Sequence, residues 1–247
     1  MNVSSKITQK LAALLIMTAG VYLSSEFADS AFVRAASETS LANLEVGLPA
    51  PDFTLPDTNG KTQTLSKYKG KLVVLEWLNF DCPFVQRHYQ VGNMQSLQKI
   101  YTAKGVVWLS IISSAEGRGG YGTNEEHNAR TKNFAAAPTA VLVDSDGKVG
   151  HLYGARTTPE MYIIDKQGNL AYSGAIDDYP SADVEHIKSA RNFVREALDK
   201  LLVGKAPLVA SSKPYGCGVK YKKHRRGLAD SGKATEVKAT NKVSQQP

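Results

Sequence analysis

The chain has 247 residues, 42% hydrophobic and 21% charged, with 20 Gly, 10 Pro and 2 Cys. That suits one globular core with appendages; it excludes collagen-like and disulfide-dense scaffolds, and two cysteines cannot furnish a four-cysteine zinc or iron–sulfur site. The net charge of +7 is concentrated at the end: residues 218–247 hold eight Lys/Arg against Asp230 and Glu236, while residues 37–217 are net neutral. A basic tail of this kind does not point to nucleic acid.

Residues 1–36 place Lys6 and Lys10 before an apolar run from Leu11 to Leu23, then small and polar residues. This is the layout of a secretory signal peptide, with cleavage expected after Ser30 or Ala35. The run has 13 residues, short of the roughly 20 that span a bilayer; an uncleaved anchor is the alternative. Export, to the periplasm or outside the cell, puts both cysteines where a disulfide persists, with no stable membrane insertion after cleavage.

Residues 37–50 read as a polar lead-in, and Ala50 to Lys61 as two extended pieces around Asn59-Gly60. Lys71 to Phe80 predicts a buried strand that stops at Asp81-Cys82-Pro83. Proline suits a first helical turn, and the segment from Pro83 to about Ala103 predicts a helix weakened by Gly92 and Asn93. Gly105–Ser113 predicts a second buried strand, 114–123 a loop, 124–136 a helix, Thr139–Asp144 a strand and Val149–Tyr153 a short helix or turn. Thr157-Thr158-Pro159 leads into a strand at Met161–Asp165, which turns at Gln167-Gly168-Asn169 into Leu170–Ser173. Ala182–Leu202, free of Pro and Gly, predicts a long closing helix. The order is an α/β layout, and residues 220–247 predict a disordered basic tail.

Cys82 follows a buried strand and precedes a helix-starting proline, so it belongs at a helix N-terminus. Free N–H groups and the helix dipole there can lower a thiol pKa from ~8.5 to between ~3.5 and ~7.5, giving a nucleophile toward disulfides or peroxides. The carboxylate of Asp81 opposes ionisation. A buried, inert cysteine is the plain alternative.

Ala50-Pro51-Asp52-Phe53, Lys69-Gly70-Lys71, Glu76-Trp77, Asn79, Asp81-Cys82-Pro83-Phe84-Val85, His88-Tyr89 and Thr158-Pro159 together resemble the thioredoxin-like superfamily. Within it the likeness is to the exported redoxin branch related to the alkyl hydroperoxide reductase and thiol-specific antioxidant, or peroxiredoxin-like, proteins. It spans about residues 45–204 and implies a central mixed β-sheet flanked by helices, with a C-terminal extension. The resemblance places Cys82 at the attacking cysteine of a Cys-x-x-Cys motif. It places Thr158-Pro159 at the cis-proline, whose preceding backbone offers a strand edge to substrate. Pro83, Phe84 and Thr158 are then substrate-contact positions, and Pro159 joins the catalytic set. Val85 stands where the second cysteine of the motif would be. A peroxidatic cysteine follows Pro-x-x-x-Thr-x-x-Cys and aligns with Val85; here Leu75 and Asn79 occupy the Pro and Thr positions relative to Cys82, which argues against efficient peroxide reduction.

Cys217 lies in Lys213-Pro214-Tyr215-Gly216-Cys217-Gly218, within a segment (205–219) beyond the domain. As the only other cysteine it is the one intramolecular resolving thiol available, and its Pro and Gly neighbours predict a flexible approach and a tight turn. A permanent staple is the alternative, since closing so long a loop is worth ~4–5 kcal/mol in the chain-entropy model.

Glu76, alone in an apolar strand, is a candidate proton relay beside the thiol, or simply a hydrogen-bonded strand residue. Arg87 and His88 read as helix-surface residues, Trp77 and Tyr89 as core. Asp144, Asp146, Asp165, Asp177 and Asp178 sit at separate turns without metal-loop spacing, and Cys82 with His88 lacks further metal ligands. The run Lys220 to Arg226 could meet anionic lipid or polymer, though a solvated tail is expected.

The expectation is therefore an exported thiol–disulfide oxidoreductase of antioxidant type. Cys82 attacks, Cys217 resolves, protein disulfides or hydroperoxides are substrates, and an external thiol is the reductant, with no metal, nucleotide or flavin cofactor. The alternatives are a non-catalytic thioredoxin-fold binding module with a structural Cys82–Cys217 disulfide, and a weak thiol peroxidase.

Overall fold

The computed structural model describes residues 44–223; the expected signal peptide and most of the expected tail lie outside them. Strands β1 (Thr54–Pro56) and β2 (Thr62–Thr64) form an antiparallel hairpin, its turn closed by Asp57 Oδ1, which accepts the Asn59 and Lys61 N–H groups at 2.9 Å each. Next come β3 (Val73–Trp77), α1 (Pro83–Gln90), α2 (Asn93–Ala103), β4 (Val107–Ile112), α3 (Asn124–Asn133), β5 (Ala140–Val143) and α4 (Lys148–Leu152). The chain continues through β6 (Thr157–Thr158), β7 (Glu160–Ile164), β8 (Leu170–Gly174), α5 (Phe193–Leu202) and β9 (Cys217–Gly218).

The central sheet runs β5-β4-β3-β7-β8. Strands β3, β4 and β5 are parallel, whereas β7 pairs antiparallel with both β3 and β8. Every residue of β3, β4 and β7 is buried, as strands covered on both faces require, which is why they read as largely apolar runs, broken only by Glu76, Ser110 and Glu160. One side packs Val85 and Tyr89 of α1, Met94, Leu97 and Tyr101 of α2, and Val194, Ala197 and Leu198 of α5 into a single cluster. The opposite side carries an aromatic group in which Trp77 and Tyr162 lie 5.1 Å apart and Phe53 and Tyr153 5.8 Å, edge to face.

Two helices differ from expectation. The segment Pro83–Ala103 is not one helix but two, because Gly92 adopts φ 72° and starts a new helix with α2. The long closing helix begins only at Phe193: the Asn192 side chain accepts the Arg195 N–H at 2.8 Å, and Asp178 accepts the Arg191 N–H at 2.9 Å. Asp and Asn side chains thus satisfy the backbone in non-helical form ahead of α5, so lacking Pro and Gly was not sufficient for a helix.

Beyond α5 the chain returns across the domain as a strap. Ser211 bridges Ser173 at the edge of β8, the Ser212 N–H donates to the Ser173 carbonyl at 3.0 Å, and Ser212 Oγ accepts the Ala175 N–H at 2.9 Å. After β9, the Lys220 carbonyl accepts the Ala115 N–H at 2.9 Å. The Tyr221 hydroxyl donates to the Ala155 carbonyl at 2.8 Å, and its ring stacks on His151 at 4.0 Å. The tail expected to be disordered from residue 220 is therefore ordered at its start, since Lys220 and Tyr221 are docked. Gly147 and Gly150 make room, for a Cβ at either would meet the Tyr221 ring. Among the described residues no helix is long and apolar enough to cross a membrane.

Candidate active site

The end of β3 delivers Cys82 to the start of α1. Asn79 shapes the turn, its side-chain oxygen accepting the Asp81 N–H at 2.9 Å and its carbonyl the Cys82 N–H at 3.0 Å. Cys82 is the N-cap and Pro83 opens the helix, so the sulfur sits at the positive end of the α1 dipole, while the Val85 and Gln86 N–H groups donate to the Cys82 carbonyl at 2.9 Å. Asp81 is paired with Arg130 at 2.8 Å, which offsets the carboxylate beside the thiol. Cys82 is only 1% exposed, and its thiol donates to the Thr158 carbonyl at 3.0 Å.

Thr158 precedes Pro159 across a cis peptide bond and is held by β6. Glu160 Oε2 gathers the Arg156 and Thr157 N–H groups at 2.8 and 2.9 Å, fixing the approach to this turn. The outer edge of β6 is taken by β9, antiparallel, with Thr158 opposite Cys217 and Thr157 opposite Gly218. Thr158 Oγ1 donates to the Cys217 carbonyl at 3.4 Å. Gly216 has φ 134°, and a Cβ there would collide with the Thr158 carbonyl. The glycine expected to give a flexible approach instead permits close contact, because only a residue without a side chain fits between the strap and β6.

Both cysteines are free thiols. Cys217 is half-buried, and its pKa is pushed up to about 11, first by burial and then by Cys82 as hydrogen-bond partner and as charge. The sequence-predicted pair is thus brought together around one backbone residue.

A second cluster, absent from the sequence reading, anchors the strap two residues before Cys217. Arg87, expected on the helix surface, is 1% exposed; its Nη2 donates to both Asp177 oxygens at 2.8 Å. Tyr215 accepts from the same nitrogen and donates to Asp177 Oδ1. Burial and the Asp177 charge hold the Tyr215 phenol well above its ordinary pKa. The Arg87 guanidinium also lies 5.3 Å from the Tyr215 ring centre and 5.8 Å from that of Tyr179. His88, likewise expected on the surface, is buried, and burial together with the Arg87 charge lowers its pKa to about 3. It is therefore neutral, and its 3.9 Å approach to Asp177 is not an ion pair. Both side chains lie inside because Asp177, Asp183 and Tyr179 come from the segment between β8 and α5, which folds over this face of α1.

Pro83 remains exposed, while Phe84 is half-buried with its ring 5.9 Å from that of Tyr215. Glu76 is fully buried and accepts from Trp108 Nε1 and Ser110 Oγ at 2.8 Å, and from Gln98 Nε2 and the Tyr89 hydroxyl at 3.2 Å. Desolvation raises its pKa despite these donors. None of its hydrogen bonds reaches either cysteine.

The profile of the AhpC/TSA family matches residues 46–173. A protein of Geobacillus thermodenitrificans, "Thiol-disulfide oxidoreductase ResA", is 29% identical over 135 residues, covering 53% of this chain and 70% of the relative. Two solved structures superpose with TM-score 0.64 over 73% of this chain. One is a hypothetical protein from Sinorhizobium meliloti, 25% identical with 96% of it covered; the other is an uncharacterised conserved protein from Geobacillus kaustophilus, 28% identical with 94% covered. These matches agree with the α/β fold of the domain.

Proposed function

The chain belongs to the AhpC/TSA family, and on that premise we propose that it is a thiol–disulfide oxidoreductase in which Cys82 attacks and Cys217 resolves. The reading rests on one observation above all: the Thr158 carbonyl accepts the Cys82 thiol while the Thr158 backbone pairs with Cys217. The name carried by the ResA relative, a thiol–disulfide oxidoreductase, supports the same chemistry. Thr158 and Pro159 set the edge against which the two sulfurs meet, Pro83 and Phe84 line the approach, and Glu76 positions β3 through its buried bonds.

In the reductive direction, the Cys82 thiolate attacks one sulfur of a substrate disulfide. A Cys82–substrate S–S bond forms, the substrate S–S bond breaks, and the departing thiolate takes a proton from water. Cys217 then loses its proton and attacks the Cys82 sulfur, releasing the second substrate thiol. The substrate has gained two electrons and the protein holds a Cys82–Cys217 disulfide, which an external dithiol reduces. Part of what keeps Cys217 protonated is the neighbouring Cys82 charge, and that charge vanishes once Cys82 is in a mixed disulfide. The resolving thiol is thus easier to ionise at the stage that needs it.

A purely structural staple is less well supported. Ser212, Tyr215 and Tyr221 hold the strap while both cysteines are free, so no disulfide is needed to keep it docked. Export, read from residues 1–36, would place this cycle where protein disulfides occur. The test pairs a full-length Cys217→Ser chain, incubated with a disulfide-bonded protein, with a redox titration of the unsubstituted chain. A trapped mixed disulfide on Cys82 and a Cys82–Cys217 midpoint potential above about −300 mV are expected. A lower midpoint with no trapped species would assign the bond to structure instead.

A further inference from the structure

The strap is more than a tether, because each part of it fills a place already shaped in the domain. Its main chain completes β6, the Tyr215 phenol completes the hydrogen bonding of the buried Arg87–Asp177 pair, and Gly216 passes the Thr158 carbonyl where no Cβ would fit. We infer that the β6 edge, the Thr158 carbonyl and the Arg87–Asp177 pair form a sequence-selective peptide site. Its ligand is an extended segment with tyrosine two residues before the reacting cysteine and glycine immediately before it. The chain's own strap is the resident ligand, and a polypeptide substrate must displace it. This inference rests on the reading of Cys82 as the attacking sulfur and adds to it the class of polypeptide that is accepted.

Strand pairing by itself gives affinity without choosing a sequence; choice comes from side-chain places. Arg87 and Asp177 are almost fully buried, so a ligand lacking the phenol leaves charged groups short of a partner in a site where water does not compensate. Sites built to bond a hydroxyl reject analogues that lack it far more strongly than apolar pockets reject a missing methylene. The Thr158 carbonyl adds a steric filter, since any side chain at the Gly216 position meets backbone rather than a movable group. Resident occupancy also accounts for the 1% exposure of Cys82, and a tethered ligand competes at high effective concentration. A foreign peptide therefore enters only when the strap is loosened.

The test uses the full-length chain carrying Cys217→Ser and Tyr215→Ala, which keeps Cys82 and empties the phenol position. The probes are a peptide of sequence Lys-Pro-Tyr-Gly-Cys-Gly-Val and its Tyr-to-Phe and Gly-to-Ala forms, each supplied as the mixed disulfide with glutathione. Cys82 thiolate attacks the peptide sulfur, the peptide–glutathione bond breaks, and glutathione thiolate leaves, so the release of glutathione reports the rate. The parent peptide is expected to react roughly five-fold or more faster than either variant peptide. The same ranking at lower absolute rates is expected with Cys217→Ser alone, which guards against a folding defect from Tyr215→Ala. Equal rates for all three peptides, with Cys82 still reacting with oxidised glutathione, overturn the inference and leave the oxidoreductase reading intact. A Cys82 inert toward all of these disulfides, oxidised glutathione included, in either folded variant overturns both.

Discussion

The phenol of Tyr215 donates to the carboxylate of Asp177, and both are bonded by Arg87. Helix α1 therefore governs the two sulfurs at once. Its first residue position is capped by Cys82, and Arg87, further along, fixes the strap that carries Cys217. A displacement of α1 would move both cysteines together, which preserves their relation better than two independent supports would.

The Arg87–Asp177 pair makes a direct prediction about stability. Substituting Asp177→Ala leaves a buried guanidinium without its counter-ion, which costs about 3–5 kcal/mol in comparable buried pairs. The double substitution Arg87→Met with Asp177→Leu removes both charges and should cost much less. Urea unfolding of the reduced protein measures both; equal losses in the two variants would show that packing, and not the unpaired charge, dominates.

Cys217 sets a pH dependence. Its thiol is held near 11, above the ordinary cysteine range of about 8.5, so folding favours the protonated form. That contribution to stability is fully present below the unfolded value and is lost as pH rises through about 11. Alkylation of Cys217 should accordingly keep rising through pH 10 and not level off near 9. In Cys82→Ser the profile should shift to lower pH, because one of the raising causes is the Cys82 charge. Mass-resolved iodoacetamide labelling across pH checks both; an unshifted profile in Cys82→Ser would contradict the coupling.

His88 acts at the other end of the scale. With its pKa lowered to about 3, the folded state keeps it neutral while the unfolded chain takes up a proton near 6.5. Its contribution to stability is therefore complete above pH 6.5 and falls as pH drops toward 3, by about 1.4 kcal/mol per unit while only the unfolded state is protonated. A His88→Asn variant should show a flatter decline in unfolding free energy between pH 6.5 and 4, measured by denaturant titration. A decline as steep as in the unsubstituted chain would place the acid sensitivity elsewhere.

How far the sequence reveals this arrangement depends on whether the signal is local. Val73–Trp77 and Val107–Ile112 are legible because strands buried on both faces are predominantly apolar, with Glu76 and Ser110 the single polar residue in each, and Pro83 marks where α1 begins. The cysteine pair is legible because only two exist. Arg87 is not, since a charged residue on a helix is normally solvated and its partner Asp177 lies 90 positions away. Tyr215 and Tyr221 offer a faint cue as aromatic residues in an otherwise polar segment. Their sockets, however, are built from Asp177 and from Gly147 and Gly150, and no periodicity links those positions. The break before α5 was hidden for a similar reason, because Asn192 and Asp178 act through side-chain bonds to backbone that composition does not display.

Glu76 offers the last test, because two roles for it give opposite results. As a relay it would exchange protons with the thiol; as a structural residue it ties Trp108, Ser110, Gln98 and Tyr89 together. Glu76→Ala orphans three buried donors, Trp108 Nε1, Ser110 Oγ and the Tyr89 hydroxyl, while Gln98 Nε2 keeps its bond to Tyr89, and should cost about 3 kcal/mol or more. Glu76→Gln keeps the shape and one acceptor, and should cost less. Since burial raises the Glu76 pKa, the native chain gains stability from it below the unfolded carboxyl value and loses that gain as pH climbs through the folded one. The penalty of Glu76→Gln should therefore be smaller at pH 8 than at pH 5. The structural role further requires that the pH profile of Cys82 attack on a small disulfide be the same in Glu76→Gln as in the unsubstituted chain. A profile that moves, with stability little changed, would make Glu76 a proton carrier.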